Sequence, residues 1–263
     1  MAQSNIVALR GYFNNETCMN NLRAMLGGKA AGFATSVLSV VNNNTLLQKA
    51  DPATVYSSAM VAASLDLPIN PNLGFAAIVP YGNQAQFQIM TRGILQLAIR
   101  SGQYAKITNA VVHKGELVKY DPFKDEYEFD ATKKESDEVI GYVAYFRTVG
   151  GFEKYFYMTK DECMAHGKKY SRSFEKGVWT TDPDAMCLKT VLKLLLSKYG
   201  ILSIEMQRAI KFDQGVIKGD FTKIDNVDDI DNADVEYVDN GNETEVSAEK
   251  AQAVADKFKD FNP

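Results

Sequence analysis

The sequence predicts an α+β fold: an antiparallel sheet packed with helices, a helical amino-terminal region and a flexible acidic carboxyl-terminal tail. Three observations carry this expectation. Apolar side chains recur at helical spacing up to residue 65. Between residues 104 and 157, β-branched and aromatic residues dominate, as a pleated and half-buried surface requires. Beyond residue 212 the chain turns acidic and amide-rich, with too few apolar groups to bury much surface.

The elements follow in order. Helices are expected over 16–26, over 30–41, where Phe33, Val37, Leu38 and Val41 keep helical spacing, and over about 52–65. Asp51-Pro52 pairs an N-cap with a proline at the first helical position. After Leu67-Pro68 the pattern becomes extended, with strands at 75–80 and 84–90 flanking a Tyr81-Gly82-Asn83 connection. A helix over 91–100 ends at Ser101-Gly102. The sheet then takes strands near 104–113, 116–120, 139–148 and 152–157. Helices return at 159–168 and at 183–198, the latter with Asp182 as N-cap, Pro183 first and Gly200 past its end. A short helix from about 204 to 211 closes a body spanning residues 1–212. Residues 213–263 form a second unit, a flexible linker over 214–245 and a short amphipathic helix over 247–261 with Val254, Phe258 and Phe261 on one side.

Charge is distributed unevenly between these units. The whole chain carries −4, yet residues 213–263 hold −9 and residues 1–212 hold +5. Within the body, 121–138 contributes 8 acids and 3 bases, so the rest of the body is more basic still. Such asymmetry suits a polyanionic partner for the body. The body is expected to span no membrane, since no stretch approaches the ~18 apolar residues a crossing needs. Cys18, Cys163 and Cys187 are three, far apart and in no C-x-x-C pair, which argues against a disulfide framework and a zinc site and points to buried apolar positions.

Several chemistries lack their residues. No G-x-x-x-x-G-K-[ST] loop is present, so nucleotide-driven strand exchange has no phosphate cradle. No acid stands two positions before a lysine, as a nuclease of the restriction-enzyme type requires. His113 and His166 belong to no H-x-x-x-H or H-x-E pattern, which leaves zinc hydrolysis and histidine acid–base catalysis unsupported. The carboxylates Asp121, Asp125, Glu126, Glu128 and Asp130 form either a divalent-cation cluster or a solvated turn, and their spacing matches no known ion loop.

What the chain does carry are cations interleaved with rings, the combination that binds single strands without sequence preference. In Tyr142-Val-Ala-Tyr145-Phe146-Arg147, Gly150-Gly151 and Phe152-Glu-Lys154-Tyr155-Phe156-Tyr157, a two-residue turn sets Arg147 opposite Lys154 and Tyr145 opposite Phe156. Directly opposed like charges cost stability unless an anion lies between them. Arg92, Gln96 and Arg100 make a polar stripe on one helix. Lys189 and Lys193 make a second, turned away from Leu188, Val191, Leu192 and Leu195. Lys168, Lys169 and Arg172, with Lys176 and Trp179, form a basic loop with aromatic neighbours. Tyr104, Lys106 and Lys198 complete the candidate DNA contacts; each stripe also reads as an ordinary solvated face.

Several longer runs carry a family likeness. Val41-Asn42-Asn43-Asn44, Leu65-Asp66-Leu67-Pro68-Ile69-Asn70, Leu73 through Gly82, Gln86-Phe87-Gln88, Ser101-Gly102-Gln103-Tyr104, Ile140 through Phe146 and Leu188 through Lys193 closely resemble the RecT family of phage and prophage single-strand annealing proteins. The resemblance runs in order from about residue 20 to residue 209. It implies a non-enzymatic protein that needs no ATP or other cofactor, binds single-stranded DNA and the annealed duplex intermediate, and assembles into rings or helical filaments in the bacterial cytoplasm. It further implies a phage 5′-to-3′ exonuclease as partner; the acidic tail is a candidate contact for that exonuclease or for the host single-strand-binding protein. Two other readings stay open: a metal-dependent nuclease acting through the 121–130 carboxylates, which would shorten labelled DNA, and a self-assembling scaffold that ignores DNA.

Overall fold

The computed structural model describes residues 2–171, 174–175, 177–218 and 230–237. Its amino-terminal half is organised around a helix with no solvent face. The first helix, α1 (Ala2–Asn14), was not anticipated from the sequence: Ile6, Leu9 and Phe13 keep helical spacing, but Asn5 and Gly11 dilute the pattern. Helices α2 (Glu16–Leu26) and α3 (Ala30–Asn42) follow, and α4 (Pro52–Ser64) is buried at every position from Thr54 to Ala63. Small residues such as Ser57, Ser58, Ala59 and Ala62 let α1, α2 and the following hairpin approach α4 closely. Tyr56 fills the gap they leave, its ring stacked on Tyr12 at 4.9 Å and edge-on to Phe13 at 5.7 Å. The polar groups of α4 are not orphaned: Ala85 N donates to Thr54 Oγ1 at 2.9 Å and Ser58 Oγ donates to Ala85 O at 3.3 Å. As expected, Asp51 caps this helix through Ala53 N, with Pro52 in the first turn.

Taken as one helical run, Glu16–Asn42 is 27 residues long and includes an 18-residue window with a mean hydropathy of 1.4, which a core helix also reaches. The run is interrupted by a 3-10 turn at Gly27–Lys29, and its Cys18, Leu22, Leu26, Ala30, Ala34, Val37 and Val41 are all part of the protein core.

The hairpin β1 (Ala76–Tyr81) and β2 (Gln84–Ile89) turns through Gly82-Asn83 and leads into α5 (Thr91–Arg100). The main sheet is antiparallel, built from β3 (Tyr104–His113), β6 (Val139–Thr148) and β7 (Glu153–Thr159) in the order β3-β6-β7. Between β3 and β6 the chain makes a separate hairpin of β4 (Leu117–Asp121) and β5 (Glu126–Phe129); the second of these strands lies where only a turn was expected. Helices α6 (Lys160–Tyr170), α7 (Val178–Thr181) and α8 (Pro183–Tyr199) come next, and α8 packs across all three sheet strands. Asp182 caps α8 as expected, but Gly200 is not a left-handed stop. Its φ is −77°, and a Cβ there would meet Leu196 O at 2.6 Å and Tyr104 Oη at 2.7 Å, so close approach excludes a side chain.

Helix α9 (Ile204–Phe212) precedes two short paired strands, β8 (Val216–Lys218) and β9 (Asp234–Glu236). Here the acidic segment departs from the linker expectation in its described parts. Asp213, Val216, Ile217 and Ile230 are buried, and Asp231 takes both guanidinium donors of Arg208 at 2.5 and 2.6 Å. Scattered isoleucines and valines that look too sparse to matter are instead the anchors. Residues 219–229 and 238–263, including the helix expected over 247–261 with Val254, Phe258 and Phe261, lie outside the described residues.

Asp213 ties the two halves together. Its carboxylate is 0% exposed, accepts from Ile89 N of β2 at 3.1 Å and pairs with Lys193 Nζ of α8 at 2.5 Å, while the adjacent Gln214 N donates to Phe87 O at 2.9 Å. Burial pushes its pKa up, but Lys193, Lys189 and the two hydrogen bonds outweigh burial and hold the acid below the ordinary carboxylate value. A depressed folded-state pKa stabilises the fold above the unfolded carboxylate value and ceases to do so as pH falls through the folded one. Accordingly, Asp213→Asn is expected to lose on the order of 2–4 kcal/mol at neutral pH, less than a fully enclosed pair because Lys193 retains some solvent contact. It should also flatten the acid limb of the stability curve; urea titrations of both proteins between neutral and acid pH check this.

Candidate nucleic-acid interface

The expected cation-and-ring hairpin exists, with a different register. Thr148 N donates to Phe152 O at 2.8 Å, and the loop between them has three residues, ending on Gly151 at a φ of +88°. That left-handed position is the one a three-residue hairpin loop reserves for glycine. Arg147 therefore faces Glu153, Phe146 faces Lys154, and Tyr145 faces Tyr155. A shift of one residue sends each side chain to the other face, so the expected Arg147–Lys154 and Tyr145–Phe156 pairs do not form.

The opposed cations occur on the other edge of the same strand. Lys106 on β3 is the Cα partner of Arg147 on β6; both side chains are exposed, and neither has an ion pair among the described residues. Alternation along the strands places Lys106, Thr108, Tyr145, Arg147, Glu153 and Tyr155 on one face. The opposite face, with Tyr142, Ala144 and Phe146, is buried beneath α6 and α8. Tyr145 and Tyr155 have ring centroids 4.5 Å apart, and Phe129 and Tyr127 of the β4–β5 hairpin continue the series 5.7 and 6.2 Å from Tyr155. Tyr145 Oη donates to Glu153 Oε2 at 2.7 Å, which pushes its pKa up and fixes the ring. The surface thus sets Lys106 and Arg147, with Glu153 beside them, against a wall of rings; Thr108, Tyr127, Phe129 and Tyr155 were not selected from the sequence. Correct loop length was the signal needed to find Tyr155; the hairpin rings come from a strand hidden among acids.

The other candidates lie in different surroundings. Arg92 and Arg100 lie on the outer side of α5, but their guanidinium groups donate to Leu73 O at 3.2 Å and Leu65 O at 2.8 Å and so clamp the segment before β1. Tyr104 is half-buried, edge-on to Phe146 at 5.3 Å, with its hydroxyl on Ile201 O at 2.9 Å, so it braces the fold away from the cationic face. Lys154 is paired with Asp125 and sits 4.4 Å from the Tyr199 ring centroid, and Lys198, exposed, lies 5.1 Å from that of Phe156. Lys168 and Lys169 are exposed at the end of α6; Lys169 lies 4.8 Å from the Tyr170 ring centroid. Arg172 and Lys176 lie outside the described residues.

Lys189 and Lys193 do not form the outward stripe expected of them. Lys189 is only 6% exposed, and Lys193 is bound to the buried Asp213. Together they line a pocket of about 340 Å³ between α6, α7 and α8, with His166 and Trp179 on its walls. Burial lowers the Lys189 pKa, Asp213 opposes that shift and Lys193 adds to it. Burial likewise lowers the pKa of His166, with help from Lys193, Lys169 and Lys198. The apolar period of α8 was legible; that α6 and Asp213 would cover its polar side was not.

Four of the five hairpin carboxylates have partners within the fold. Asp121 caps its own turn through Phe123 N and Lys124 N, Asp130 caps Thr132, Glu126 pairs with Lys119 and Asp125 with Lys154. Among the described residues, no group of three or more His, Cys, Asp or Glu is placed to hold an ion.

Residues 31–232 match the RecT family. The chain is 46% identical over 246 residues to the uncharacterized protein YqaK of Bacillus subtilis (strain 168), covering 93% of this chain and 84% of that one. It is 28% identical over 200 residues to protein RecT of Escherichia coli (strain K12), covering 68% of this chain and 74% of that one.

Because Lys106 and Arg147 repel one another across the strands, Lys106→Thr is expected to raise the Tm by about 1–2 °C while weakening any bound polyanion. Thermal melts with and without oligonucleotide check both halves; a Tm that falls in the free protein would show that the pair is not repulsive.

Proposed function

Because the chain belongs to the RecT family, we propose that it binds single-stranded DNA on the outer face of its three-stranded sheet and anneals complementary strands without ATP. The observation that carries this reading is the exposed Lys106–Arg147 pair, in no ion pair among the described residues, beside the Tyr145–Tyr155 rings. Two like charges held in register invite phosphates between them, and stacked rings offer each passing base a surface worth roughly 1–3 kcal/mol regardless of its identity. Sequence-blind contacts of this strength suit annealing, in which a strand must be held extended, with its base edges free, while a second strand samples registers. Membership of the family supports a non-catalytic annealing role and multimeric assembly. In the fuller reading the assembly is a ring or helical filament in the bacterial cytoplasm. A phage 5′-to-3′ exonuclease supplies the strands, and the acidic segment meets that enzyme or the host single-strand-binding protein.

Annealing of complementary oligonucleotides, without nucleotide or metal, by wild type and Lys106→Ala/Arg147→Ala tests the assignment. The double variant is expected to bind single strands about 10- to 100-fold more weakly, and its log-affinity against log-salt slope to be shallower by about 1.4. Unchanged affinity and slope would remove the sheet face from the DNA path, and shortening of labelled strands in a parallel incubation with Mg²⁺ or Mn²⁺ would replace annealing by nuclease action.

A further inference from the structure

The pocket between α6, α7 and α8 lies apart from the sheet face and holds charge that the packing around it does not balance. Lys189 is a residue 6% exposed whose amine forms no hydrogen bond or ion pair with any described residue. A buried ammonium ordinarily has an anion and hydrogen-bond acceptors around it, because leaving it bare costs several kcal/mol. The one carboxylate nearby, Asp213, is already shared between Lys193 Nζ and Ile89 N. Two lysines against one aspartate leave a surplus of one positive charge at the pocket wall. The space beside it, about 340 Å³, falls at the lower end of the ~300–1,000 Å³ typical of small-ligand sites. His166, the ring of Tyr170 at 4.6 Å from it, and Trp179 line the remainder. Amine, imidazole and flat rings in one pocket suit an anion carried on a planar group, as in a phosphate with a base attached.

We propose that this pocket is a nucleotide site, in which Lys189 receives one phosphate group and the ring-lined wall receives the base attached to it. The proposal rests on the annealing reading only for the polymer that carries the phosphate. That phosphate is either an internal diester or the monoester at a strand end. A diester brings one negative charge and balances the surplus as it stands; a monoester brings more, which His166 offsets on taking up a proton.

Trp179 is the chain's single tryptophan and lines the pocket, so the site carries its own reporter. Full-length protein is titrated at low ionic strength with inorganic phosphate, thymidine 5′-monophosphate and thymidine, followed by Trp179 emission and by calorimetry. Saturable binding of the monophosphate and of phosphate, but not of thymidine, is expected. Lys189→Met and Lys189→Gln should each weaken it by about tenfold or more, the loss of a charge-assisted hydrogen bond. Circular dichroism melts verify that each variant is folded, and a neutral side chain in this buried position is expected to be tolerated. Oligothymidylates with and without a 5′-phosphate then identify the source: equal binding marks an internal diester, preference for the phosphorylated strand marks an end. Absence of saturable binding by both readouts, or folded Lys189 variants that titrate as wild type does, overturns the proposal. Lys106→Ala/Arg147→Ala should leave the mononucleotide titration reported by Trp179 unchanged, whatever it removes from the calorimetric signal of the sheet face. Normal annealing by that double variant alongside intact mononucleotide binding would sink the sheet-face assignment while leaving the pocket standing, and the converse separates them equally well.

Discussion

A carboxylate withdrawn from water is a demanding neighbour, and the arrangement around Asp213 shows how much of this fold is committed to satisfying one. The amino-terminal helices and the β1–β2 hairpin form one mass, the three-stranded sheet with α6 and α8 another, and Asp213 hydrogen-bonds or pairs with both. Without a charge partner its burial would be prohibitive; with Lys193 attached, the carboxylate sets how α8 sits against β2. The adjacent Gln214 and Phe87 add a backbone bond at the same seam. Position along the chain matters too, since Asp213 follows α9 directly and so fixes where the acidic segment begins its path over the body.

That seam also divides the surface into two kinds of cation. Lys193 is consumed by structure and Lys189 is enclosed, whereas Lys106 and Arg147 stand in the open on the sheet. Sequence spacing cannot separate the two classes, because a lysine on the polar side of an amphipathic helix looks the same whether water or another helix lies opposite. The rings divide in the same way: Tyr56, Tyr142 and Phe146 are core, while Tyr145 and Tyr155 remain at the surface by virtue of strand alternation alone.

Local physics made most of the elements legible. Caps at Asp51 and Asp182, the glycine-bearing hairpin turn after Tyr81 and the β-branched strands are decided by neighbours in sequence, and the structure places those elements within a few residues of the expectation. What was not legible depends on distant partners or on a single-residue count. Helix α1 gains its order by packing on α4, β5 by pairing with β4 amid carboxylates, and β8 by pairing with β9. In the candidate interface, the strands and their mixture of cations and rings were legible, but one loop residue changed the partners of Arg147 and Lys154, and the cover over Lys189 was not foreseen.

The Thr148–Phe152 loop therefore acts as a parity bit for the sheet. An odd number of loop residues presents Arg147 and Tyr155 together; an even number would exchange Tyr155 for Lys154 or Phe156 without altering a single strand residue. Relatives that differ here by one inserted or deleted glycine would keep nearly identical strand sequences while showing the solvent a different chemistry, so among such proteins loop length would be a better guide to surface kinship than percentage identity.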